Sequence, residues 1–110
     1  MQITNRPDVF SALAEPTRRS IIEMLAASGQ LSASQISDKF DITPPAISQH
    51  LKVLRDAEVV HVQKKAQQRI YTINTASLHN LEVWAKKINA KWQEKFSALD
   101  QVLKEEQRKY

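Results

Sequence analysis

Apolar residues along most of this chain recur every three or four positions, which is the spacing of one face of a helix. The pattern predicts helices over residues 8–14, 16–28, 32–40, 44–57 and 75–107. Between the last two helices, residues 59–74 contain β-branched runs on either side of a polar tip, as in a β-hairpin. The predicted fold is therefore mainly α with a small β-hairpin, in the order α-α-α-α-β-β-α.

Local signals at the helix ends support these boundaries. Asp8 stands near the start of the first helix, and Pro16 near the start of the second, where proline is favoured. The only glycine, Gly29, follows the second helix, where a left-handed residue often ends a helix. Ser32 and Gln35 match a capping box at the start of the third helix.

The fourth predicted helix begins with two consecutive prolines, in the segment TPPAISQHLKVL (residues 43–54). Proline is tolerated in the first turn of a helix because the N–H groups there have no intrahelical partner. We therefore expect Thr43 to be the N-cap residue and Pro44 and Pro45 to be the first helical residues.

The fourth helix is predicted to have one buried and one polar face. At about 100° per residue, Ile47, Leu51 and Leu54 lie on the same side, and the opposite side carries no carboxylate. Its amide, hydroxyl, basic and small side chains suit the bases of the DNA major groove and the adjacent phosphates. His50 lies at the edge of the buried face, so a packing role and a DNA contact are both open. The candidates for major-groove contacts are Thr43, Pro45, Ala46, Ser48, Gln49, His50 and Lys52.

The third and fourth helices, joined by a short turn, describe a helix-turn-helix, and the basic hairpin that follows suits a wing on the DNA backbone. Arg18 and Arg19 are also open to salt bridges within the domain, and Lys52 and Arg55 to an ordinary solvated face. The hairpin cations are also open to a role in protecting an edge strand from aggregation. The candidates for backbone contacts are Arg18, Arg19, Arg55, Lys64, Lys65 and Arg69.

The last predicted helix carries one apolar stripe over roughly six turns, which is long for a small domain. This length favours packing on a second chain over folding back on the short first helix. We predict one winged-helix domain over residues 1–110, with residues 8–74 as the helix-turn-helix core and wing and residues 75–107 as a dimerisation helix. The candidates for the dimer interface are Val9, Phe10, Leu13, Leu81, Trp84, Ile88, Trp92, Phe96, Leu99 and Leu103.

Composition narrows the class of protein. The 110 residues suffice for one modest core, and the formal net charge of +4 suits a polyanionic partner. There is no cysteine, which excludes disulfides and thiolate metal sites. No long uncharged apolar run is present and residues 1–16 lack a signal-peptide core, so we expect a cytoplasmic protein without a membrane partner.

An enzyme is not expected from this sequence. It contains no Gly-rich phosphate loop, no cysteine nucleophile and no cluster of carboxylates with histidine. His50, His61 and His79 lie on three separate predicted elements, and no acid is placed to orient them.

The segments DVFSALAEPTRRSIIEML and LSASQISDKFDITPPAISQHLKVLRDAEVV, followed by QQRIYTIN, resemble the ArsR-type winged-helix transcriptional regulators. The resemblance covers roughly residues 8–74, and its most specific parts are residues 14–19 and 48–54. It implies a homodimer that binds operator DNA and usually represses, with the first and last helices forming the dimer interface.

The chain departs from the metal-sensing members of that family. One kind of sensor carries a Cys-x-Cys motif in the third helix, where this chain has serines. Others bind zinc in the last helix, where this chain offers only His79 and Glu82 one turn apart. We therefore expect no metal site and no cofactor. Ala66 also stands at the hairpin tip where relatives commonly carry glycine, which leaves the tip open to a different shape.

These patterns together predict a sequence-specific DNA-binding transcriptional regulator, in the simplest case a homodimeric repressor. It would bind an inverted-repeat operator through the helix at residues 44–57 and the wing at residues 59–73. The alternative is a winged-helix protein-interaction module that uses its long last helix without specific DNA readout. The expected partners are double-stranded DNA and a second copy of the chain. The operator sequence, the choice between repression and activation, and a small-molecule inducer are left open.

Overall fold

The structure, a computed structural model, describes residues 6–109. The elements in chain order are α1 (Val9–Ala12), α2 (Pro16–Ser28), β1 (Leu31–Ser32), α3 (Ala33–Ser37), α4 (Pro44–Asp56), β2 (Val60–Lys65), β3 (Gln68–Ile73) and α5 (Thr75–Lys109). The prediction of a mainly helical fold with a β-hairpin and a long last helix is confirmed. The chain separates into two compact units, Met1–Leu78 and His79–Tyr110, and the single domain over residues 1–110 stays a prediction.

Each of the helices α1 to α4 begins at a side chain that accepts a hydrogen bond from the backbone of that helix. At α4 the Thr43 hydroxyl accepts from the Ala46 N–H at 3.3 Å, and the two prolines after Thr43 occupy the first helical positions. The prolines therefore begin α4 and do not break it, as predicted. The four N-cap residues are Asp8, Glu15, Ser32 and Thr43.

Helix α1 is shorter than the predicted residues 8–14, because its last residue is Ala12 and Leu13 is its C-cap. Glu15 precedes a proline, and its backbone is extended with φ −94° and ψ 129°. A proline disfavours the helical conformation of the residue before it. The chain therefore turns between α1 and α2, and the two helices stay separate.

The hairpin belongs to a three-stranded antiparallel sheet with the order β1-β3-β2. Lys65 pairs with Gln68 across the hairpin, which leaves a two-residue turn. Strand β1 is absent from the predicted elements; its Leu31 pairs with Tyr71 on the other side of β3. Two residues are too few to show an alternating pattern, so only backbone pairing in the folded chain defines this strand.

The core of the first unit contains apolar side chains from its helices and from the sheet. The α4 residues Ile47, Leu51 and Leu54 are at most 2% exposed, which confirms the predicted buried face of α4. Burying one such side chain contributes roughly 1.5–3 kcal/mol. Rotating all three into solvent would cost an amount comparable to the whole stability of a small domain, about 5–15 kcal/mol. The other buried apolar residues are Ala12, Ile21, Ile22, Leu25, Leu31, Ile36, Val59, Val60 and Tyr71.

Helix α4 ends in a Schellman motif whose left-handed position is a glutamate. Glu58 has φ +61°, and its N–H donates to the Arg55 carbonyl at 2.9 Å while the Val59 N–H donates to the Leu54 carbonyl at 3.0 Å. The Glu58 carbonyl accepts from Asn74 Nδ2 at 2.7 Å. This bond ties the segment just before α5 to the end of α4.

Helix α5 runs without interruption from Thr75 to Lys109. Two ion pairs of i,i+4 spacing lie along it, Glu82–Lys86 at 3.0 Å and Asp100–Lys104 at 3.3 Å. No helix in the part of the chain that the structure describes is long and apolar enough to cross a membrane. The exposed fraction in the single chain is between 44% and 65% for Val83, Trp84, Ile88, Trp92, Phe96, Leu99, Val102 and Leu103.

The turn of the hairpin holds an alanine in the left-handed region. Ala66 has φ +54°, a conformation that costs an L-residue roughly 1–2 kcal/mol. Glycine adopts positive φ without this steric cost, since it has no Cβ. The turn thus has the backbone conformation that favours glycine, although alanine occupies it.

Ala66→Gly should raise the free energy of unfolding by roughly 0.5–1 kcal/mol. The substitution removes about 1–2 kcal/mol of left-handed strain and loses about 0.5–1 kcal/mol to the greater freedom of glycine in the unfolded chain. Urea unfolding followed by circular dichroism measures the difference. Gln67→Gly is the matched control, because Gln67 is not among the residues with positive φ, and it should be neutral or destabilising. Equal stabilisation by both substitutions would contradict the strain at Ala66.

Candidate nucleic-acid interface

The polar face of α4 lies on the surface because the opposite face is buried in the core. All seven residues predicted for the major groove are exposed or partly exposed. Pro45, Gln49 and Lys52 lie opposite the buried face of α4, whereas His50 lies beside that face, on the side of α2. The exposed residues are Thr43, Pro45, Ser48, Gln49 and Lys52, and the partly exposed ones are Ala46 and His50.

This surface of α4 is free of negative charge along most of its length. The exception is Asp56, the last residue of α4, which comes seven residues after Gln49 and therefore lies on the same side of the helix. The predicted absence of carboxylates from this face is wrong at its C-terminal end. Asp56 Oδ1 lies 3.7 Å from Arg55 Nε and partly offsets that cation. Lys52, in contrast, has no ion pair or side-chain hydrogen bond with any residue in the described range 6–109. Its ammonium group is therefore available to a negatively charged partner.

The hairpin carries cations on both of its faces. Lys64 and Arg69 are directly opposite each other in the β2–β3 register, so their side chains project from the same face. Lys65 is adjacent to Lys64 along β2 and therefore projects from the other face. Like charges directly opposite each other destabilise a sheet. An anion bound near Lys64 and Arg69 would relieve this repulsion.

Arg18 is bound within the domain. Its Nε donates to the Ala12 carbonyl at 2.6 Å and its Nη2 to the Ser11 carbonyl at 3.4 Å, and these bonds cap the C-terminus of α1. Its Nη1 lies 3.1 Å from Nδ1 of His50, which connects α2 with α4. The geometry favours a structural role for Arg18, and its predicted phosphate contact stays a prediction.

Arg19 has a similar position on the other side of the α1–α2 turn. Its Nη1 donates to the carbonyls of Leu13 and Ala14 at 2.8 and 3.0 Å. The two arginines thus donate hydrogen bonds to carbonyl groups at the end of a short helix, where carbonyls lack intrahelical partners. They do so through hydrogen bonds rather than through the salt bridges that the sequence left open. A phosphate contact of Arg19 also stays a prediction.

His50 projects from α4 towards the start of α2, and its side chain is 21% exposed. Its Nδ1 lies 3.1 Å from Arg18 Nη1 and 3.7 Å from Glu15 Oε2. A guanidinium can only donate, so Nδ1 accepts from Arg18 in the neutral ring and the ring hydrogen is then on Nε2. The packing role that the sequence left open for His50 is present in the structure, and a DNA contact stays a prediction.

The Glu15 carboxylate faces His50 and caps α2, where it accepts from the Arg18 backbone N–H at 3.2 Å. Partial burial raises the pKa of this carboxyl, but the backbone hydrogen bond from Arg18, the positive charge of His50 when its ring is protonated and hydrogen bonds from Thr17 outweigh burial and lower the pKa. A lowered folded-state pKa stabilises the fold above the unfolded-state pKa. That stability is lost as the pH falls through the folded-state pKa.

Two open cavities border α4. One, of about 300 Å³, lies between α3 and α4 and is lined by small or apolar side chains and one carboxylate, Asp38. The other, of about 280 Å³, lies between α4, β3 and the start of α3. It brings together predicted site residues of the helix and of the wing. Its lining residues are Ala33, Ser48, Leu51, Lys52, Arg55, Arg69 and Tyr71.

The only pair of metal-ligand type that the sequence singled out, His79 and Glu82, lies on α5. The Glu82 carboxylate pairs with Lys86 Nζ at 3.0 Å, and the hydrogen bond and charge of Lys86 lower the pKa of that carboxyl. Within residues 6–109, no group of three or more His, Cys, Asp or Glu residues could hold a metal ion.

Two residues beside this interface are absent from the predicted sites. Glu15 stands directly before Pro16, and an acidic residue at a helix N-terminus is a signal that could have indicated its capping role. Tyr71 was recognisable only as one residue of an alternating strand. Nothing local in the sequence indicates that it lines a cavity together with cations from α4.

The second helix of a helix-turn-helix with a polar exposed face, followed by a basic hairpin on a small antiparallel sheet, defines the class of winged-helix DNA-binding proteins. A family described as Helix-turn-helix domain matches residues 13–63 of the chain. The chain is 39% identical over 77 residues to the transcriptional repressor SdpR of Bacillus subtilis, and the alignment covers 70% of this chain and 84% of SdpR.

Solved structures show the same similarity. The ArsR-like transcriptional regulator from Rhodococcus sp. RHA1 superposes with a TM-score of 0.74 at 28% identity, covering 86% of this chain and 88% of that one. The ArsR family transcriptional regulator RHA00566 superposes with a TM-score of 0.70 at 27% identity, covering 76% of this chain and 86% of that one. The chain belongs to the ArsR family of winged-helix transcriptional regulators. It is therefore a DNA-binding regulator of transcription and not an enzyme.

Arg18→Ala should lower the free energy of unfolding by about 2–3 kcal/mol, since a hydrogen bond from a charged group contributes roughly 1.5–3 kcal/mol. Urea unfolding measures the change. Lys65→Ala is the control, because Lys65 makes no side-chain hydrogen bond or ion pair with residues 6–109, and it should stay within about 0.5 kcal/mol of wild type. If both variants unfold at the same urea concentration, the guanidinium of Arg18 is not structural and a phosphate contact is favoured instead.

Proposed function

We propose that this regulator is a homodimeric repressor that binds an inverted-repeat operator. Helix α4 enters the major groove, and the β2–β3 wing lies on the adjacent DNA backbone. The observation that carries this proposal is the exposed face of α4, which has no carboxylate from Thr43 to Arg55, with the wing cations beside it. Repression is supported by the similarity to SdpR, which is named a transcriptional repressor. The protein acts in the cytoplasm, where operator DNA is accessible.

The groove face of α4 has chemistry suited to specific bases. The Gln49 amide can donate to and accept from the edge of an adenine, and Ser48 can reach a base or a phosphate. Pro45 and Ala46 are small enough for close approach to thymine methyl groups. Thr43 at the start of the helix and Lys52 one turn after Ser48 lie at the two ends of this face. His50 takes the edge position, where its Nε2 hydrogen is left for a partner.

The phosphate contacts come from cations on both sides of α4. Each cation that replaces a condensed counterion strengthens binding to DNA of any sequence and makes it dependent on salt. Arg18 and Arg19 contribute less to this set, because their guanidinium groups are engaged with backbone carbonyls. Lys64, Lys65 and Arg69 remain fully available for phosphate contacts, and Arg55 remains available in part, because Asp56 lies 3.7 Å away.

The apolar stripe of α5 supports a second copy of the chain as the other partner. Trp92 at 65% and Phe96 at 56% are more exposed than is usual for aromatic residues in a monomer. A contiguous exposed apolar surface on a soluble protein marks an interface. On α1, Phe10 is exposed, whereas Val9 and Leu13 also pack against the core of the first unit. We propose that α1 and α5 together form the dimer interface.

A two-fold symmetric dimer places two copies of α4 on the same side of the DNA. The two major-groove segments would then be one helical turn apart, about 34 Å. The operator is therefore an inverted repeat with half-sites at that spacing. Selection of bound duplexes from random DNA identifies its sequence. The structure assigns no inducer.

Gln49→Ala and Lys65→Ala should weaken DNA binding in different ways. Gln49→Ala should relax preference at one base pair and cost about 1–3 kcal/mol there. Lys65→Ala should weaken binding to all duplexes and reduce the salt slope by about one unit. Fluorescence anisotropy with the selected operator and with a scrambled duplex, at several salt concentrations, separates the two effects.

The same titration tests the groove assignment against a protein-interaction module. Wild-type affinity of both variants at every salt concentration would show that α4 and the wing do not face DNA. Failure of the wild-type chain to bind any duplex at low salt, together with a stable protein partner in a purified complex, would favour the interaction module.

Trp92→Glu should convert the dimer to a monomer, because a charge in the middle of the apolar stripe cannot be buried without a large penalty. Sedimentation velocity measures the molecular mass. Ala90→Glu is the matched control: it adds the same charge about 200° away around the helix, and the dimer should persist. Loss of the dimer in both variants, or in neither, would contradict the α5 interface.

A further inference from the structure

We propose that the 280 Å³ cavity between α4 and β3 binds one phosphate group, and that on the operator this group is a single phosphate of the DNA backbone. The inference rests on the proposed DNA-binding function and deepens it. It adds Tyr71, a nearly buried residue, to the residues that bind DNA. It also assigns several of the basic residues to a contact with one particular phosphate.

The backbone geometry explains why these side chains meet. Ser48, Lys52 and Arg55 are spaced by four and three residues along α4, so they share one side of the helix. Arg69 and Tyr71 are two residues apart on β3 and therefore project from the same face of the sheet. Residues from that side of the helix and from that face of the strand line the cavity together.

The hydroxyl group of Tyr71 indicates a ligand. Tyr71 is only 4% exposed, and its side chain has no hydrogen-bond partner among residues 6–109. In the same described range, every side-chain nitrogen or oxygen that is fully buried has a hydrogen-bond partner. The hydroxyl therefore keeps some contact with solvent, and Tyr71 is one of the residues that line this cavity. A nearly buried hydroxyl that is held open in this way is available to a bound group.

The cations around the cavity indicate that the ligand is an anion. Within residues 6–109, Lys52 and Arg69 have no carboxylate partner. Arg55 is partly offset by Asp56 at 3.7 Å. Lys64, directly opposite Arg69 in the sheet, adds positive charge to the same side. The cavity between α3 and α4 differs, because it contains no cation and has a carboxylate in its wall.

Phosphate matches this set of donors better than a smaller anion does. A lysine provides three N–H donors, an arginine a planar fork of donors, and the hydroxyls of Ser48 and Tyr71 one each. These suit a group with several acceptor oxygens and a full negative charge. The groove face of α4 and the wing border the cavity, so a phosphate next to the contacted bases is the nearest source. Such a contact would join helix and wing to one point of the backbone and set the register of α4 in the groove.

The first experiment uses Tyr71→Phe in the full-length chain. The substitution keeps the ring that packs in the core and removes only the hydroxyl, which has no partner among the described residues. We expect an unchanged melting temperature and an operator affinity about tenfold weaker, the effect of one hydrogen bond to a charged group. Wild-type affinity of Tyr71→Phe would overturn the proposal.

A scan of the operator locates the phosphate. Replacing one backbone phosphate at a time by a neutral methylphosphonate should weaken wild-type binding at each contacted phosphate, and one of these positions in each half-site should belong to the cavity. That position should have little further effect on Tyr71→Phe or Arg69→Gln, because they have already lost the contact. Lys65→Gln is the charge-matched control on the opposite face of the hairpin, and it should stay fully sensitive at that position. Equal sensitivity of all variants would overturn the proposal.

Inorganic phosphate distinguishes the source of the group. It is titrated into the DNA-free protein, and amide chemical shifts are recorded. Weak binding confined to the cavity and lost in Arg69→Gln supports a site that DNA completes. Tight binding at the cavity that releases DNA supports the site but assigns it to a free phosphorylated ligand. Absence of any shift at the cavity, together with absence of the coupled operator position, overturns the proposal. If the wild-type protein binds no duplex at all, the proposed function fails. The phosphate titration alone then tests whether the cavity binds a phosphate group.

Discussion

Burial of one side of α4 is the constraint on which the rest of this structure depends. Ile47, Leu51 and Leu54 are almost completely removed from solvent, and a helix has only one rotation about its axis that achieves this. The same rotation turns Gln49 and Lys52 outwards. Specific DNA binding needs side chains held in a fixed register. The hydrophobic core thus determines which residues of α4 are exposed on the surface proposed to bind DNA.

Polar contacts at several points then hold α4 in place. At its start, the Thr43 hydroxyl caps the backbone; in its middle, His50 meets Arg18 from α2; at its end, the Glu58 carbonyl accepts from Asn74. A neutral hydrogen bond contributes about 0.5–1.5 kcal/mol net, and the bond from the charged Arg18 roughly 1.5–3 kcal/mol. Together they restrain the two ends and the middle against tilting, which the apolar contacts alone would permit.

The cations of this protein fall into two groups with different consequences. Arg18 and Arg19 donate to backbone carbonyls within the domain, so their charge stabilises the fold. Lys52, Lys64 and Arg69 have no carboxylate partner in the described part of the chain, and two of them are directly opposite each other in the sheet. A polyanion is the natural complement of the second group. Counting charges in the sequence cannot distinguish the two groups, because lysine and arginine residues of both kinds have the same local sequence signal.

The sequence by itself determined the helices, the hairpin and the buried face of α4, because helix periodicity, proline position and capping chemistry act over a few residues. It therefore predicted the hairpin, the start of α4 at Thr43 and the continuous last helix. Only the tertiary structure decided the features that depend on distant residues: the pairing of Leu31 with Tyr71, the internal bonds of Arg18 and the cavity that Tyr71 shares with cations of α4. These contacts join residues far apart in the chain, and no local pattern encodes which of them meet.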